Sequence, residues 1–269
     1  MRIDVVTLFP ELFDPLIAVG MVGRAVTTGA LVVRRKSPRD FGLGRHRSVD
    51  DTPYGGGSGM VMRVDCLVDC LEALDAEPAA DGLRAHRVLL CPQGRPFSQS
   101  KAKELVDRGA IALICGRYEG FDDRVRAFVD EEVSLGDFVL SGGEVAAMAV
   151  IDTCCRLLPG VLGNAASTEH ESHSPALGGL LEYPQYTRPV EYRGARVPEV
   201  LQGGNHAAID AHRLAEAERR TRERRPDLWA AVESAREAAR AAAPPVKKRR
   251  ARSRDDEGGA RGGSGEGVS

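Results

Sequence analysis

Short apolar runs alternate with amphipathic segments along the first 160 residues. Apolar runs bounded by Gly, Pro or charged residues predict buried strands, and apolar residues three and four apart predict helices. The predicted strands lie at residues 3–9, 31–35, 88–91 and 111–115, and shorter apolar runs lie at 133–135 and 138–140. The predicted helices lie at residues 11–19, 64–76, 98–108, 122–129 and 144–158. This alternation predicts an α/β domain with a parallel sheet and helices on its faces.

The pattern changes near residue 163. Small and polar residues dominate 164–179, which we interpret as a linker between a domain at 1–163 and a smaller, mainly helical domain at 180–240. In the second domain an extended start at 183–198 is expected to precede a helix at 205–225, and Trp229 is expected to anchor a final helix on the body of the protein. Residues 241–269 are mostly Ala, Pro, Lys, Arg, Gly and Ser, and such a composition predicts a disordered tail.

Composition indicates an ordinary globular protein. The chain has 269 residues, of which 42% are hydrophobic and 28% charged. No apolar run reaches the roughly 20 residues that a membrane-spanning helix needs, and the first residues lack the pattern of a signal peptide. The six cysteines form no C-x-x-C pair and mostly lie in apolar runs. We therefore expect reduced cysteines in a cytoplasmic protein without a membrane partner.

Positive charge is concentrated near the C-terminus. Residues 211–254 contain 14 Lys or Arg and 6 Asp or Glu, an excess of +8 in a chain whose net charge is -2. A basic arm on an acidic body favours a polyanionic partner such as a nucleic acid, although a solvated charged helix has the same composition.

Glycine-containing loops follow three consecutive predicted strands. They are Pro92-Gln93-Gly94, residues 116–120 and residues 136–143. Ligands of open α/β sheets bind at the carboxyl ends of the strands, and glycine lets main-chain groups approach a ligand closely. Each loop alone is typical of a simple turn, but three in one crevice indicate a site for a flat heterocycle held by main-chain hydrogen bonds.

Other glycine and histidine clusters point less clearly to chemistry. The chain has neither a P-loop nor the dinucleotide fingerprint G-x-G-x-x-G. Residues 41–59 predict a long loop, and its glycine run at 55–59 predicts a mobile lid or a surface that closely follows a substrate backbone. His170 and His173 have no partner at metal-site spacing, so no metal ligands are predicted from the residues.

Several long motifs, in the same order, resemble the bacterial tRNA (guanine-N1)-methyltransferase family TrmD. They are MRIDVVTLFPELF at the start, YGGGSGMVM from Tyr54, ICGRYEGFDDRV from Ile114, LGDFVLSGGEVAAMAVIDTCCRLLPGVLG from Leu135, YTRP from Tyr186, VPEVL from Val197 and RRPDL from Arg224. The resemblance extends from Met1 to about Trp229 and leaves the tail outside it.

The resemblance implies a SPOUT-type parallel sheet with a trefoil knot at the C-terminal end of its domain, followed by a small helical domain. It implies a homodimer with the active site between subunits. It also implies transfer of a methyl group from S-adenosylmethionine to N1 of guanosine at tRNA position 37, with a dependence on magnesium. In this framework the three loops would cradle the cofactor, and the basic arm would contact RNA phosphates.

The family motifs also imply the cofactor-binding residues of this chain. These are Pro92, Gly94, Gly116, Tyr118, Glu119, Gly120, Leu135, Gly136, Asp137, Phe138, Val139, Leu140, Gly142 and Gly143. Ala146 stands where the family often has proline. Arg24, Arg117 and Arg188 are candidates for RNA phosphate contacts, or alternatively members of surface ion pairs.

The reaction itself needs a base and a cation. N1 of guanine carries a proton at neutral pH, so a carboxylate is needed to remove it and a cation near O6 stabilises the charge that develops. The resemblance assigns the cation to Arg156, which could otherwise pair with a local acid at the end of its helix. It places the base at Glu171, where the family has aspartate before a serine.

The glutamate is a departure from the family, since its extra methylene changes the reach of the carboxylate. Glu169 is the alternative match if the linker is gapped. Three functions therefore remain open at this point. They are guanine-N1 methylation of tRNA, methylation of another RNA site by a SPOUT enzyme, and tRNA binding without catalysis if Glu171 is a solvated linker residue.

Overall fold

The computed structural model describes residues 1–163 and 170–242. The helices are α1 (Asp14–Ala18), α2 (Gly20–Thr27), α3 (Val64–Ala76), α4 (Gln99–Asp107), α5 (Glu144–Arg156), α6 (His206–Arg224) and α7 (Pro226–Ala242). The strands are β1 (Arg2–Val6), β2 (Val32–Lys36), β3 (Asp50–Asp51), β4 (Val61–Met62), β5 (His86–Pro96), β6 (Ala110–Cys115), β7 (Glu131–Ser134), β8 (Glu191–Tyr192) and β9 (Ala195–Arg196). Short 3₁₀ helices occupy Pro10–Phe13, Pro38–Phe41, Asp123–Phe128 and Glu199–Leu201.

Five parallel strands form the central sheet in the order β2-β1-β6-β5-β7. Every residue of β1 and β6 is buried, as expected for central strands covered on both faces. Side chains alternate between the faces, so Leu113 packs in one apolar core with α2, α4 and α5, whereas Ile114 packs in the other with α3. The predicted α/β class with a parallel sheet is confirmed.

The local signals for helices were accurate for α3 and for the starts of α4 and α5, whereas the single helix predicted at 11–19 is a 3₁₀ helix followed by α1, and α2 was not predicted. The periodicity at residues 64–76 gives the observed bounds of α3, and α5 begins at Glu144 as predicted. The Ser98 side chain accepts a hydrogen bond of 3.3 Å from the Lys101 N–H, which confirms it as the cap of α4.

The prediction that Pro92-Gln93-Gly94 ends a strand at residue 91 is wrong. Leu90 and Arg95 both align with Val133 of β7, so the intervening residues bulge and β5 continues to Pro96. The bulge depends on Gly94, because a Cβ atom there would overlap the backbone of Val133.

Two further corrections concern shorter segments. The predicted loop at 41–59 contains β3, and the helix predicted at 122–129 is a 3₁₀ helix.

The C-terminal helices pack against each other and against the segment that precedes them. Leu180, Ala217 and Val232 form a small buried cluster that Trp229 joins from its edge. Trp229 therefore anchors α7 on α6 and not on the sheet, and the guanidinium groups of Arg222 and Arg236 lie 4.5 and 5.7 Å from its ring centroid. The trefoil knot and the domain bounds stay predictions, and the predicted tail from residue 243 onward lies outside the described residues.

The remaining sequence predictions concern cysteines and membranes. All six cysteines are free thiols, and every one except Cys91 is buried, which confirms their assignment to the core. Burial raises the pKa of the Cys115 thiol well above its usual range. Among the described helices, none is long and apolar enough to cross a bilayer.

Candidate active site

A cavity of about 440 Å³ opens where β6 and β7 end and β5 bulges. Its walls come largely from residues 91–93, 116–123 and 134–143, which we call the crevice loops. They overlap the loops predicted at 92–94, 116–120 and 136–143. The structure brings together on these walls twelve of the predicted cofactor residues: Pro92, Gly116, Tyr118, Glu119, Gly120, Leu135, Gly136, Phe138, Val139, Leu140, Gly142 and Gly143. Gly94 and Asp137 are not on the wall. Gly94 packs on β7, and Asp137 is exposed beside the crevice.

Glycines allow two of the crevice loops to touch. The Gly143 N–H donates a 2.9 Å hydrogen bond to the carbonyl oxygen of Gly116. A Cβ atom on Gly143 would lie 2.7 Å from Cys115 Cα and 2.9 Å from Gly116 N, both of them backbone atoms that cannot rotate away. Tyr118, with φ of 60°, adopts the left-handed conformation that turns the middle loop back over the crevice.

We expect Gly143→Ala to remove ligand binding at the crevice and to lower the unfolding free energy, by about 1–3 kcal/mol, because the new methyl group forces the two loops apart. The matched control is Gly203→Ala, since Gly203 has no atom within 4 Å of an added Cβ and no positive φ. Urea unfolding and calorimetric titration with S-adenosylmethionine would measure both effects. Equal behaviour of the two variants would contradict the close approach described here.

A buried carboxylate joins the crevice loops to the sheet. Glu144, at the first position of α5, is only 1% exposed. Its Oε1 accepts a 2.8 Å hydrogen bond from the Thr7 hydroxyl, and its Oε2 lies 3.0 Å from Arg117 Nε. The Arg117 guanidinium also lies 4.6 Å from the centroid of the Phe9 ring. Of the two roles considered for Arg117, the structure favours the ion pair, which fixes the middle crevice loop against α5.

Sequence reasoning missed Glu144 and a second ionic cluster at the rim. Arg126 contacts Glu132 and Gln93, and its Nε lies 2.6 Å from an oxygen of Asp123. The hydrogen bond from Arg126 holds the pKa of the Glu132 carboxyl below its usual range. An acid directly after Gly142-Gly143 was a usable signal for Glu144, because helix N-termini favour negative charge. Nothing local in the sequence indicated that it is buried.

The glycine run at residues 55–59 leads to the edge of the crevice. The Glu119 N–H donates to the Met60 carbonyl oxygen at 3.0 Å, and the Asp122 N–H donates to that of Met62 at 2.9 Å. Gly59 has φ of 86°, and a Cβ atom there would overlap the Glu119 side chain. Only the end of the run, Gly59, therefore lies against the middle crevice loop, and the predicted action of the run as a lid stays a prediction.

The two predicted catalytic residues contact each other. Arg156, in the last turn of α5, donates through Nη2 to Oε1 of Glu171, and each side chain is about one-third exposed. Neither residue lines the crevice of its own chain. The alternative base, Glu169, lies outside the described residues.

Hydrogen bonds to residues 180–182 hold the segment that carries Glu171. The Ser172 hydroxyl accepts from the Glu182 N–H at 2.9 Å, and the His173 N–H donates to the Leu180 carbonyl at 2.9 Å. The Leu181 N–H donates in turn to the buried hydroxyl of Thr221 on α6, also at 2.9 Å. The carboxylate is thus carried by a hydrogen-bonded turn and is about one-third exposed, and its role as the base stays a prediction.

The structure shows no preformed metal cluster among the described residues. Within residues 1–163 and 170–242, no three His, Cys, Asp or Glu side chains come together as metal ligands would. The dependence on magnesium stays a prediction.

Together, the parallel sheet and the glycine-lined crevice at its carboxyl edge define an α/β protein with a candidate site for a small ligand. The Arg156–Glu171 pair, away from the crevice of its own chain, has the elements of a proton-transfer site. The model of the family described as tRNA (Guanine-1)-methyltransferase TrmD matches residues 1–231. The chain belongs to this family, and the resemblance stated from the sequence motifs is confirmed.

Several curated relatives carry the name tRNA (guanine-N(1)-)-methyltransferase. The relative from Sorangium cellulosum (strain So ce56) is 73% identical over 246 residues, covering 85% of this chain and 93% of its own length. The relative from Heliobacterium modesticaldum (strain ATCC 51547 / Ice1) is 52% identical over 230 residues, covering 85% of this chain and 84% of its own length. The relative from Geobacter sulfurreducens (strain ATCC 51573 / DSM 12127 / PCA) is 50% identical over 229 residues, covering 85% and 91%.

Proposed function

We propose that this protein is a tRNA methyltransferase that transfers a methyl group from S-adenosylmethionine to N1 of guanosine at position 37. The observation that carries the proposal is the crevice of three glycine loops in a chain that matches the family over residues 1–231. A tRNA substrate and reduced thiols also suit a cytoplasmic enzyme.

The crevice suits the proposed cofactor in size and chemistry. Its volume of about 440 Å³ lies in the ordinary range for sites of drug-sized ligands. Main-chain groups of the crevice loops supply donors and acceptors for a heterocycle, and the Glu119 side chain adds a carboxylate to the wall. When bound, S-adenosylmethionine supplies a methyl group already activated on a sulfonium sulfur.

The Arg156–Glu171 pair has the polarity of a guanine-binding site. The Watson–Crick edge of guanine places the O6 acceptor next to the N1–H donor. Arg156 carries only donors and an ionised Glu171 only acceptors, so guanine replaces one ion pair with two charge-assisted hydrogen bonds. Adenine presents an N6 donor and an N1 acceptor in these places. It would therefore leave the charges of both side chains unsatisfied, which gives selectivity for guanine.

In the proposed reaction, Glu171 accepts the N1 proton as the new N–C bond forms and the bond between the methyl carbon and the sulfonium sulfur breaks, which leaves a neutral thioether. Arg156 holds O6 and stabilises the negative charge that builds up there when the proton leaves. The carboxylate ends the step protonated and returns its proton to water.

A homodimer would bring the pair to a crevice. Arg156 and Glu171 do not line the crevice of their own chain, so we propose that they serve the crevice of a second copy. Large apolar side chains stand exposed on the surface near α1, α2 and the start of α5, as expected for an interface: Leu12, Val19, Phe138, Val139 and Val145.

A methyl-transfer assay tests the proposed function. Labelled S-adenosylmethionine is incubated with tRNA transcripts carrying guanosine or adenosine at position 37, and the nucleosides are then separated. We expect 1-methylguanosine from the first transcript alone. Ribose methylation would point to a different SPOUT activity, and tight tRNA binding without any methylation would replace the enzyme with a binding protein.

A further inference from the structure

One segment of the C-terminal region stands clear of the rest of the chain. All twelve residues from Gln185 to Arg196 are exposed, and we call this segment the projecting arm. It ends in a two-stranded hairpin of β8 and β9, closed by a 2.9 Å hydrogen bond from the Val197 N–H to the Val190 carbonyl. Arg193 and Gly194 have φ of 50° and 83°, the values of a tight hairpin turn, so the tip has a fixed backbone shape.

The projecting arm combines exposed aromatic rings with unpaired cations. Tyr192 is 62% exposed, and the guanidinium of Arg193 lies 5.2 Å from its ring centroid. The only acid of the arm, Glu191, already pairs with Arg196 at 3.0 Å. Arg188 and Arg193 have no carboxylate within 4.0 Å among the described residues. Three arginines and one glutamate give the arm a charge of +2.

Several cations of the neighbouring helices are held in ion pairs. On α6, Arg219 pairs with Glu216 at 2.7 Å and with Glu223 at 2.8 Å. Arg236 of α7 pairs with Glu218, also at 2.7 Å. The glutamates of these pairs are already included in the net excess of +8 over residues 211–254, and the +2 of the projecting arm lies outside that range.

We propose that the projecting arm is a contact surface for the tRNA substrate, with Tyr192 stacking on an unpaired base and Arg188 and Arg193 on phosphates. The proposal rests on the proposed function, which supplies an RNA partner. Proteins recognise single-stranded RNA by stacking unpaired bases on aromatic rings and guanidinium planes, and by placing cations on the backbone. The fixed hairpin lowers the entropy cost of presenting these groups.

RNA explains this surface better than a second copy of the chain does. A protein interface would have to bury the free guanidinium groups of Arg188 and Arg193, which is costly unless each meets a carboxylate. An RNA backbone supplies an anion at every nucleotide. Tyr186 and Tyr192 are both about half-exposed or more, and they provide two ring faces within one short arm.

The test compares full-length variants for tRNA binding at several salt concentrations. Tyr192→Ala should weaken tRNA binding at least about fivefold, the lower end of the effect of losing one stacked base, whereas Tyr192→Phe should keep wild-type affinity. The double variant Arg188→Gln/Arg193→Gln should reduce the slope of log K against log salt by about 1.4, because each of two single-strand phosphate contacts contributes about 0.7. Lys103→Gln is the matched control, because it removes an exposed cation on α4. It should change neither the tRNA affinity nor the salt slope.

Two parallel measurements make the outcome decisive. Affinity for S-adenosylmethionine reports the crevice, and light-scattering mass reports the oligomer. Unchanged tRNA affinity and salt slope in the arm variants would overturn the proposal, and so would a change in mass, which would show a contact between copies. Arm-dependent tRNA binding by a wild-type protein that makes no 1-methylguanosine would support the arm while overturning the proposed function.

Discussion

Glu171→Gln should lower the single-turnover rate of methyl transfer by about 10²–10⁴-fold while tRNA and S-adenosylmethionine still bind. The amide cannot accept the N1 proton, and general-base catalysis contributes a factor of this size. Glutamine still reaches Arg156 from the same backbone position, so the turn that carries residue 171 should keep its shape. The measurement is rapid-quench turnover with saturating enzyme.

The controls separate the base from its neighbours. Glu182→Gln changes a nearby carboxylate, since the Glu182 N–H bonds to the Ser172 hydroxyl. The Glu182 side chain contacts Gln185 and not Arg156, so this variant should leave the rate unchanged. Glu171→Asp keeps the base with one methylene fewer and should have a modest effect. A full rate for Glu171→Gln would refute its role, and a large loss for Glu169→Gln instead would move the base to that residue. A steep gain for Glu171→Asp would mean that the glutamate is a poor substitute.

Arg117→Ala should lower the unfolding free energy by about 3 kcal/mol. Removal of the arginine leaves the carboxylate of Glu144 buried without its cation, and breaking a buried pair costs about 3–5 kcal/mol. The lower figure applies because Arg117 is 22% exposed. Since Glu144 also fixes the start of α5, S-adenosylmethionine binding should weaken in parallel. Urea unfolding monitored by circular dichroism gives the stability change.

A double-mutant cycle isolates the buried charge. Arg117→Ala/Glu144→Gln removes both charges but keeps an acceptor for the Thr7 hydroxyl, so it should recover most of the stability lost in the single variant. Arg124→Ala is the matched control on the adjoining segment. Arg124 pairs with Asp122 at 2.6 Å but is 70% exposed, so its loss should cost less than about 1 kcal/mol. If Arg117→Ala and Arg124→Ala lowered the unfolding free energy equally, the buried charge of Glu144 would not explain the cost of losing Arg117.

Features set by neighbouring residues were predictable from the sequence. Apolar spacing gave the bounds of α3, because a helix buries a stripe that repeats every 3.6 residues. Ser98 was predicted as a cap because the hydrogen bond joins residues only three apart. The alternation of strands and helices gave the parallel sheet, and that sheet placed the glycine loops of successive strands at one edge.

The family resemblance supplied what periodicity did not. It named Glu171 and Arg156, which no spacing relates, and the structure brings their side chains into contact. It also included Gly94 and Asp137 among the cofactor residues, and neither lines the crevice. The motif gives residue identities along the chain, whereas the wall of a cavity depends on which way each backbone segment turns.

The sequence by itself determined the class of fold, the bounds of α3, the family and the region of the candidate ligand crevice. Only the tertiary structure decided that Arg117 is paired, since its partner Glu144 lies 27 positions away in the sequence. Glu144 is in turn held by a hydrogen bond from Thr7, which lies 137 positions before it. It also decided that β5 passes through a proline by bulging against β7, and that Arg188 and Arg193 are exposed together on the projecting arm. The physical reason is common to these cases. Burial and ion pairing depend on contacts between distant residues, and such contacts exist only after the chain has packed.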